Sequence, residues 1–179
     1  MSAFIDKYLQ GVLHNIESYV KDTNDFLNRL DNIQLPPNCT LVTLDVVSLY
    51  TNIPHSDGVN ALRRFLTKHD PSSDMPIEDI CCLAQFILKH NYFTFDDEYF
   101  LQTQDTAMGT KFAPAYASMF MAVLEEEFLS KETLKPSMFV RYIDDIFLIW
   151  PHTDEQLSEF HSKLNMAHPD IKFTMDSSR

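Results

Sequence analysis

Apolar side chains recur three and four apart over the first thirty residues: Ile5, Tyr8, Leu9, Val12, Leu13, Ile16, Tyr19 and Val20. That spacing predicts helix. "KDTND" interrupts it and supplies a fresh N-cap ahead of Phe26, Leu27 and Leu30. "QLPPNC" closes the helical region, and "TLVTLDVVSLY", rich in β-branched residues, predicts a strand running into a turn. A third helix is expected over 56–68, capped by Ser56 or Asp57 and turning Val59, Leu62, Phe65 and Leu66 inward, and a fourth over 77–90, beyond the loop "DPSSDMP". "NYFTFDDEYFLQT" alternates aromatics around an acidic turn, the pattern of a β-hairpin. After the loop "DTAMGTKFAP", Pro114 suits the first turn of a long helix with Tyr116, Phe120, Leu124 and Phe128 as an i, i+4 stripe. "EEE" at 125–127 then reads as a solvated face. A strand pair around Asp144 and Asp145, a helix over 154–164 and a strand in "DIKFTMD" complete the chain. Helices and strands interleave without repeats, which points to a single α+β domain.

Composition narrows the possibilities. A 179-residue chain that is 45% hydrophobic, with 14 Phe and 7 Tyr, is expected to be globular. No apolar run approaches a membrane span, and the start "MSAFIDKYLQG" lacks the features of a secretory signal. Cys39, Cys81 and Cys82 form no disulfide or zinc-ligand pattern, so a reduced intracellular protein is expected. The net charge of −12 is the reverse of a free-standing nucleic-acid binder. Any such function must borrow positive charge from metal ions or from other segments.

Acids inside apolar runs carry the chemistry. "RYIDDIFLIW" reads as buried strand, where unpaired carboxylates cost several kcal/mol. If "FVRYI" and "IFLIW" are antiparallel strands, Asp144 and Asp145 sit at the hairpin tip. An Asp-Asp turn that is merely solvated accounts for them equally well. Asp45, ending the strand "LVTLD", shifts the balance if that strand neighbours the hairpin. Three converging carboxylates repel one another, and divalent cations relieve the repulsion. Mg²⁺ takes oxygen ligands, and a pair of such ions clamps the attacking and leaving oxygens of a phosphoryl displacement.

"TLDVVSLYTNIPH", "TAMGTKFAPAYASMFM" and "RYIDDIFLIW" resemble, in order and spacing across positions 40–150, motifs A, B and C of reverse transcriptases. "SLYTNIPH" and "MGTKFAP" are most similar to those of Penelope-like retroelements. The resemblance implies a palm-like antiparallel sheet packed on helices, with partial fingers and no thumb. It divides the chain into a helical lead-in (1–38), a palm with the three motifs (39–150) and the start of the region after motif C (151–179). It implies RNA-directed DNA synthesis from an RNA template and a DNA primer with deoxynucleoside triphosphates, two Mg²⁺ ions for which Mn²⁺ substitutes, no membrane partner, and a nuclear location.

Residue by residue, the resemblance implies that Asp45, Asp144 and Asp145 are catalytic and ligate metal, with the Val46 carbonyl as a further donor. Ser48 and Leu49 would offer backbone N–H groups to the triphosphate. Tyr50 would pack against the sugar and exclude a 2′-hydroxyl, with a plain core tyrosine as the alternative. Gly109 and Pro114 match motif B. Met108 would lie beside the base pair, or in the core; Lys111 would face phosphate, or only solvent. Arg141 is expected to pair with local acids, and His152, His161 and His168 form no metal cluster at a recognised spacing. Asp105 stands where the family usually has glycine, and an added acid there opposes phosphate binding. The chain reads as a palm-centred fragment, inactive on its own; an inactive palm remnant or interaction module is the alternative.

Overall fold

The computed structural model describes residues 1–71, 75–101, 106 and 109–178. These form two compact units.

One unit comprises Met1–Ile16 and Ser48–Val123. It holds helices α1 (Ser2–Gln10), α3 (Leu49–Asn52), α4 (His55–His69) and α5 (Ile77–Lys89), the hairpin β2 (Tyr92–Phe95) and β3 (Glu98–Leu101), and the first half of α6 (Ala113–Lys131). Helix α5 packs on α4 and on α1, burying Ile5, Leu9, Leu62, Leu66, Ile80 and Leu88. Gly58 is dictated by packing: a Cβ there would lie 1.9 Å from the Tyr116 hydroxyl oxygen and 2.9 Å from Ile53 Cγ2. Pro114 sits in the first turn of α6, as expected. Helix α4 starts after Pro54 with no side-chain cap, and Ser56 Oγ donates to Asp57 instead (3.0 Å). The expected Ser56 or Asp57 cap is therefore corrected.

The other unit comprises Glu17–Val47 and Leu124–Arg179. Its antiparallel sheet runs β4 (Met138–Tyr142), β5 (Asp145–Trp150), β1 (Thr40–Val46), β6 (Phe173–Ser178). Strand β1 alternates strictly between buried and exposed positions, so Val42, Leu44 and Val46 enter one face while Leu41, Thr43 and Asp45 enter the other. On the first face, Trp150 and Phe128 pack on Phe160 of α7 (Asp154–Leu164). A Thr153–Gln156 capping box starts that helix. On the second face, α2 (Thr23–Asp31) sets Phe26 edge-on to Phe147 at 5.3 Å. Asp22 caps α2, accepting from the Asp25 N–H. The "KDTND" cap is thus as read.

Two expectations give way here. Helical spacing over Val12–Val20 does not yield a continuous helix. A 3-10 turn occupies Leu13–Asn15, and the chain then extends, with Arg141 N–H donating to Ser18 O and Val20 N–H to Arg141 O. Backbone pairing with β4 outweighs the local periodicity. Nor is "EEE" a uniformly solvated face: Glu125 is buried, matched by the buried Arg141. All three cysteines are free, and among the described residues no helix is long and apolar enough to cross a membrane.

Candidate functional site

The end of the second face gathers the acids. In the β1–β5 ladder Asp45 stands opposite Asp145, while Tyr142 pairs with Asp145 across the β4–β5 hairpin. Ile143 and Asp144 form the two-residue loop between these strands. Asp45 and Asp145 are exposed and Asp144 half-buried. Directly opposed like charges destabilise a sheet. Although Asp145 is largely exposed, desolvation of its carboxyl against the sheet first, then the charges of Asp144 and Asp45, raise it above its ordinary range. The structure sets Asp45 opposite Asp145 on neighbouring strands, with Asp144 next in the chain in the loop.

The turn itself is unusual. Ile143 has φ +56°, a left-handed conformation that β-branched residues rarely adopt and that hairpin loops usually assign to glycine or asparagine. The backbone around Asp144 is held on both sides. Val46 N–H donates to the Asp144 carbonyl at 3.1 Å, and Arg141 Nη1 donates to the Ile143 carbonyl at 3.0 Å.

Beside Asp145 a cavity of about 660 Å³ opens between α2 and the sheet, lined by Val20, Phe26, Thr43, Val140, Tyr142 and Phe147. It gives Asp145 an apolar border, in keeping with the role of burial in its shift. Carboxylate oxygens are hard donors, of the kind Mg²⁺ or Mn²⁺ takes rather than a soft metal. Among these residues Val46 is buried, and its own N–H is committed to Asp144.

The remaining expected residues belong to the unit that contains Ser48–Val123. Ser48 takes a left-handed conformation (φ +48°) before the four-residue helix α3. Leu49 is buried and Tyr50 half-buried, its carbonyl accepting from Thr106 N–H at 2.8 Å. Gly109 has φ +104° with nothing within 4 Å of the Cβ position, and Lys111 is exposed. Conformation, not crowding, demands glycine at 109. Met108 and Asp105 lie outside the described residues. Among the histidines, His152 meets the Lys135 carbonyl, His161 the Phe173 carbonyl, and His168 the Asp170 backbone N–H.

Sequence reasoning missed Glu125 and Ser18. Ser18 Oγ donates to Glu125 Oε2 at 2.6 Å, and Arg141 Nε donates to Glu125 Oε1 at 2.5 Å. Pairing of Arg141 with a local acid is as expected; the partner is not. A signal was available in α6, where Met121, one turn before Glu125, belongs to a second apolar stripe.

The family model for reverse transcriptase (RNA-dependent DNA polymerase) matches residues 2–176. The chain belongs to this family. No curated protein matches the sequence. Among solved structures, the reverse transcriptase chain resembles apo telomerase from Candida tropicalis, with 11% identity and a TM-score of 0.72, over 100% of this chain and 37% of that one. It resembles telomerase from Candida albicans in complex with a fragment of telomeric RNA equally well, with 11% identity and a TM-score of 0.72, over 99% of this chain and 34% of that one. An RNA-dependent RNA polymerase matches at 8% identity and a TM-score of 0.71, over 99% of this chain and 18% of that one. At such identities the likeness concerns the fold alone. The chain spans little more than a third of either telomerase.

Proposed function

We propose that this chain is the palm-centred part of an RNA-directed DNA polymerase of a Penelope-like retroelement, extending a DNA primer on an RNA template with deoxynucleotides in the nucleus. One observation carries the reading: within a reverse transcriptase family member, Asp45 faces Asp145 across two strands with Asp144 in the adjoining turn. "SLYTNIPH" and "MGTKFAP" support the Penelope-like assignment.

In this reading Asp45, Asp144 and Asp145, with the Val46 carbonyl, supply oxygen ligands to two Mg²⁺ ions. When bound, such ions act as Lewis acids on the attacking and leaving oxygens of the phosphoryl transfer. The protein contributes position: β1 and β5 hold two acids in fixed register, and the carbonyls flanking the Asp144 Cα are tied down. The motif resemblance further assigns the Ser48 and Leu49 backbone N–H groups and Lys111 to the triphosphate, and Met108 and Gly109 to the base pair. The Tyr50 ring excludes a 2′-hydroxyl.

The test is extension of a DNA primer on an RNA template in Mg²⁺. Within a polymerase that supplies the remaining parts, the wild-type chain is expected to support addition of deoxynucleotides and Asp144→Asn to support none; equal incorporation by both would contradict the assignment. A second reading, a palm that binds cations but no longer copies, is favoured by the net charge of −12, which opposes phosphate. Cation binding without extension in the wild type would select it.

A further inference from the structure

We infer that Arg141 is a positioning residue that sets the direction of the Asp144 carboxylate through the carbonyl of Ile143. The inference rests on the metal site proposed above and adds to it a support behind the sheet.

Arg141 pairs with Ile146 in the β4–β5 ladder, so its side chain leaves the face opposite to Tyr142 and Asp145. It is completely buried, 0% exposed. Its guanidinium divides its donors: Nε goes to Glu125 on α6, and Nη1 reaches back to the Ile143 carbonyl at 3.0 Å. Glu125 is fixed in turn by the Ser18 hydroxyl, and the Ser18 carbonyl accepts from the Arg141 backbone N–H at 2.6 Å. Two segments distant in sequence, at Ser18 and Glu125, thereby help to lock one side chain.

The lock acts where the backbone most needs it. Ile143 is held at φ +56°, a conformation that persists only when its surroundings determine it. The Ile143 carbonyl belongs to the peptide entering Asp144, and the Asp144 carbonyl, bonded to Val46 N–H, belongs to the peptide leaving it. With both peptide planes pinned, the Cα–Cβ direction of Asp144 is fixed before any cation arrives. Arginine suits this task through its geometry. Its planar fork serves two acceptors at once, whereas a lysine ammonium is a point donor on a flexible stem. Lysine at 141 would keep a charge for Glu125 and lose the rigid second arm.

The experiment is calorimetric titration of Mn²⁺ into the full chain as wild type, Arg141→Lys, Ser18→Ala and Asp45→Asn, with a thermal melt of each. Phe160→Leu is the control, because it loosens the core from α7 without touching the turn. Groups that orient metal ligands typically govern affinity by about 10–100-fold. Arg141→Lys is expected to weaken Mn²⁺ binding within that range, Ser18→Ala to weaken it less, and Phe160→Leu to lower only the melting temperature. Wild-type affinity in folded Arg141→Lys overturns the inference. Should Arg141→Lys fail to fold, unchanged affinity in Ser18→Ala overturns it and weakened affinity supports it. If the wild type binds no more Mn²⁺ than Asp45→Asn, the metal site itself fails and the inference falls with it.

Discussion

Asp145 shows at the scale of one residue what the site costs the fold. Its carboxyl is raised from 3.8 by partial burial, by Asp144 and by Asp45. The folded chain therefore holds this proton more tightly than the unfolded chain does. Its contribution is favourable below the unfolded-state value and is lost as pH rises through the raised folded value. At neutral pH the ionised group opposes folding. Asp145→Asn is accordingly expected to melt above the wild type at pH 7 in the presence of a chelator, with an advantage that shrinks as pH falls through the carboxylate range. Thermal melts across pH measure this, and a pH-independent difference would contradict it. The three acids were legible from sequence because carboxylates are conspicuous in apolar strands. Glu125 was not, because a run of three glutamates on a helix normally faces water, and the arginine that buries this one lies 16 positions away.

Between residues and elements, two positions test how the chain is shaped. Ile143 adopts a left-handed conformation better suited to asparagine. Ile143→Asn is expected to stabilise the chain by about 1 kcal/mol in urea denaturation, a typical relief for such strain; a loss would show that the half-buried side chain contributes more than its backbone costs. Gly58→Ala works in the opposite direction. Alanine gains about 1 kcal/mol of helix propensity, but its Cβ would meet the hydroxyl oxygen of the fully buried Tyr116 at 1.9 Å. Overpacking of this kind costs about 1–3 kcal/mol, so a net loss is expected in the same experiment, and a net gain would contradict the close contact. Strands and most helices could be read from their periods; α7 and its N-terminus fall where the pattern placed them. Residues 16–20 could not, because their apolar spacing fits a helix while their hydrogen bonds are claimed by β4. Long-range pairing of that kind leaves no local trace.

The whole molecule combines an acidic surface with a site built from further acids. With a net charge of −12, a chain that meets phosphate needs positive charge from elsewhere, divalent cations among the sources, so the proposed coordination by Asp45, Asp144 and Asp145 decides the reading. The ligand oxygens must be deprotonated to bind, so affinity is expected to fall as pH drops through the raised range of Asp145. Calorimetric titration of Mn²⁺ into the wild type, Asp45→Asn and Asp144→Asn at neutral pH tests the claim most directly. Saturable binding by the wild type, lost in both variants although they come from separate strands and loops, is the result expected of one shared site. Superimposable isotherms for all three proteins would contradict it.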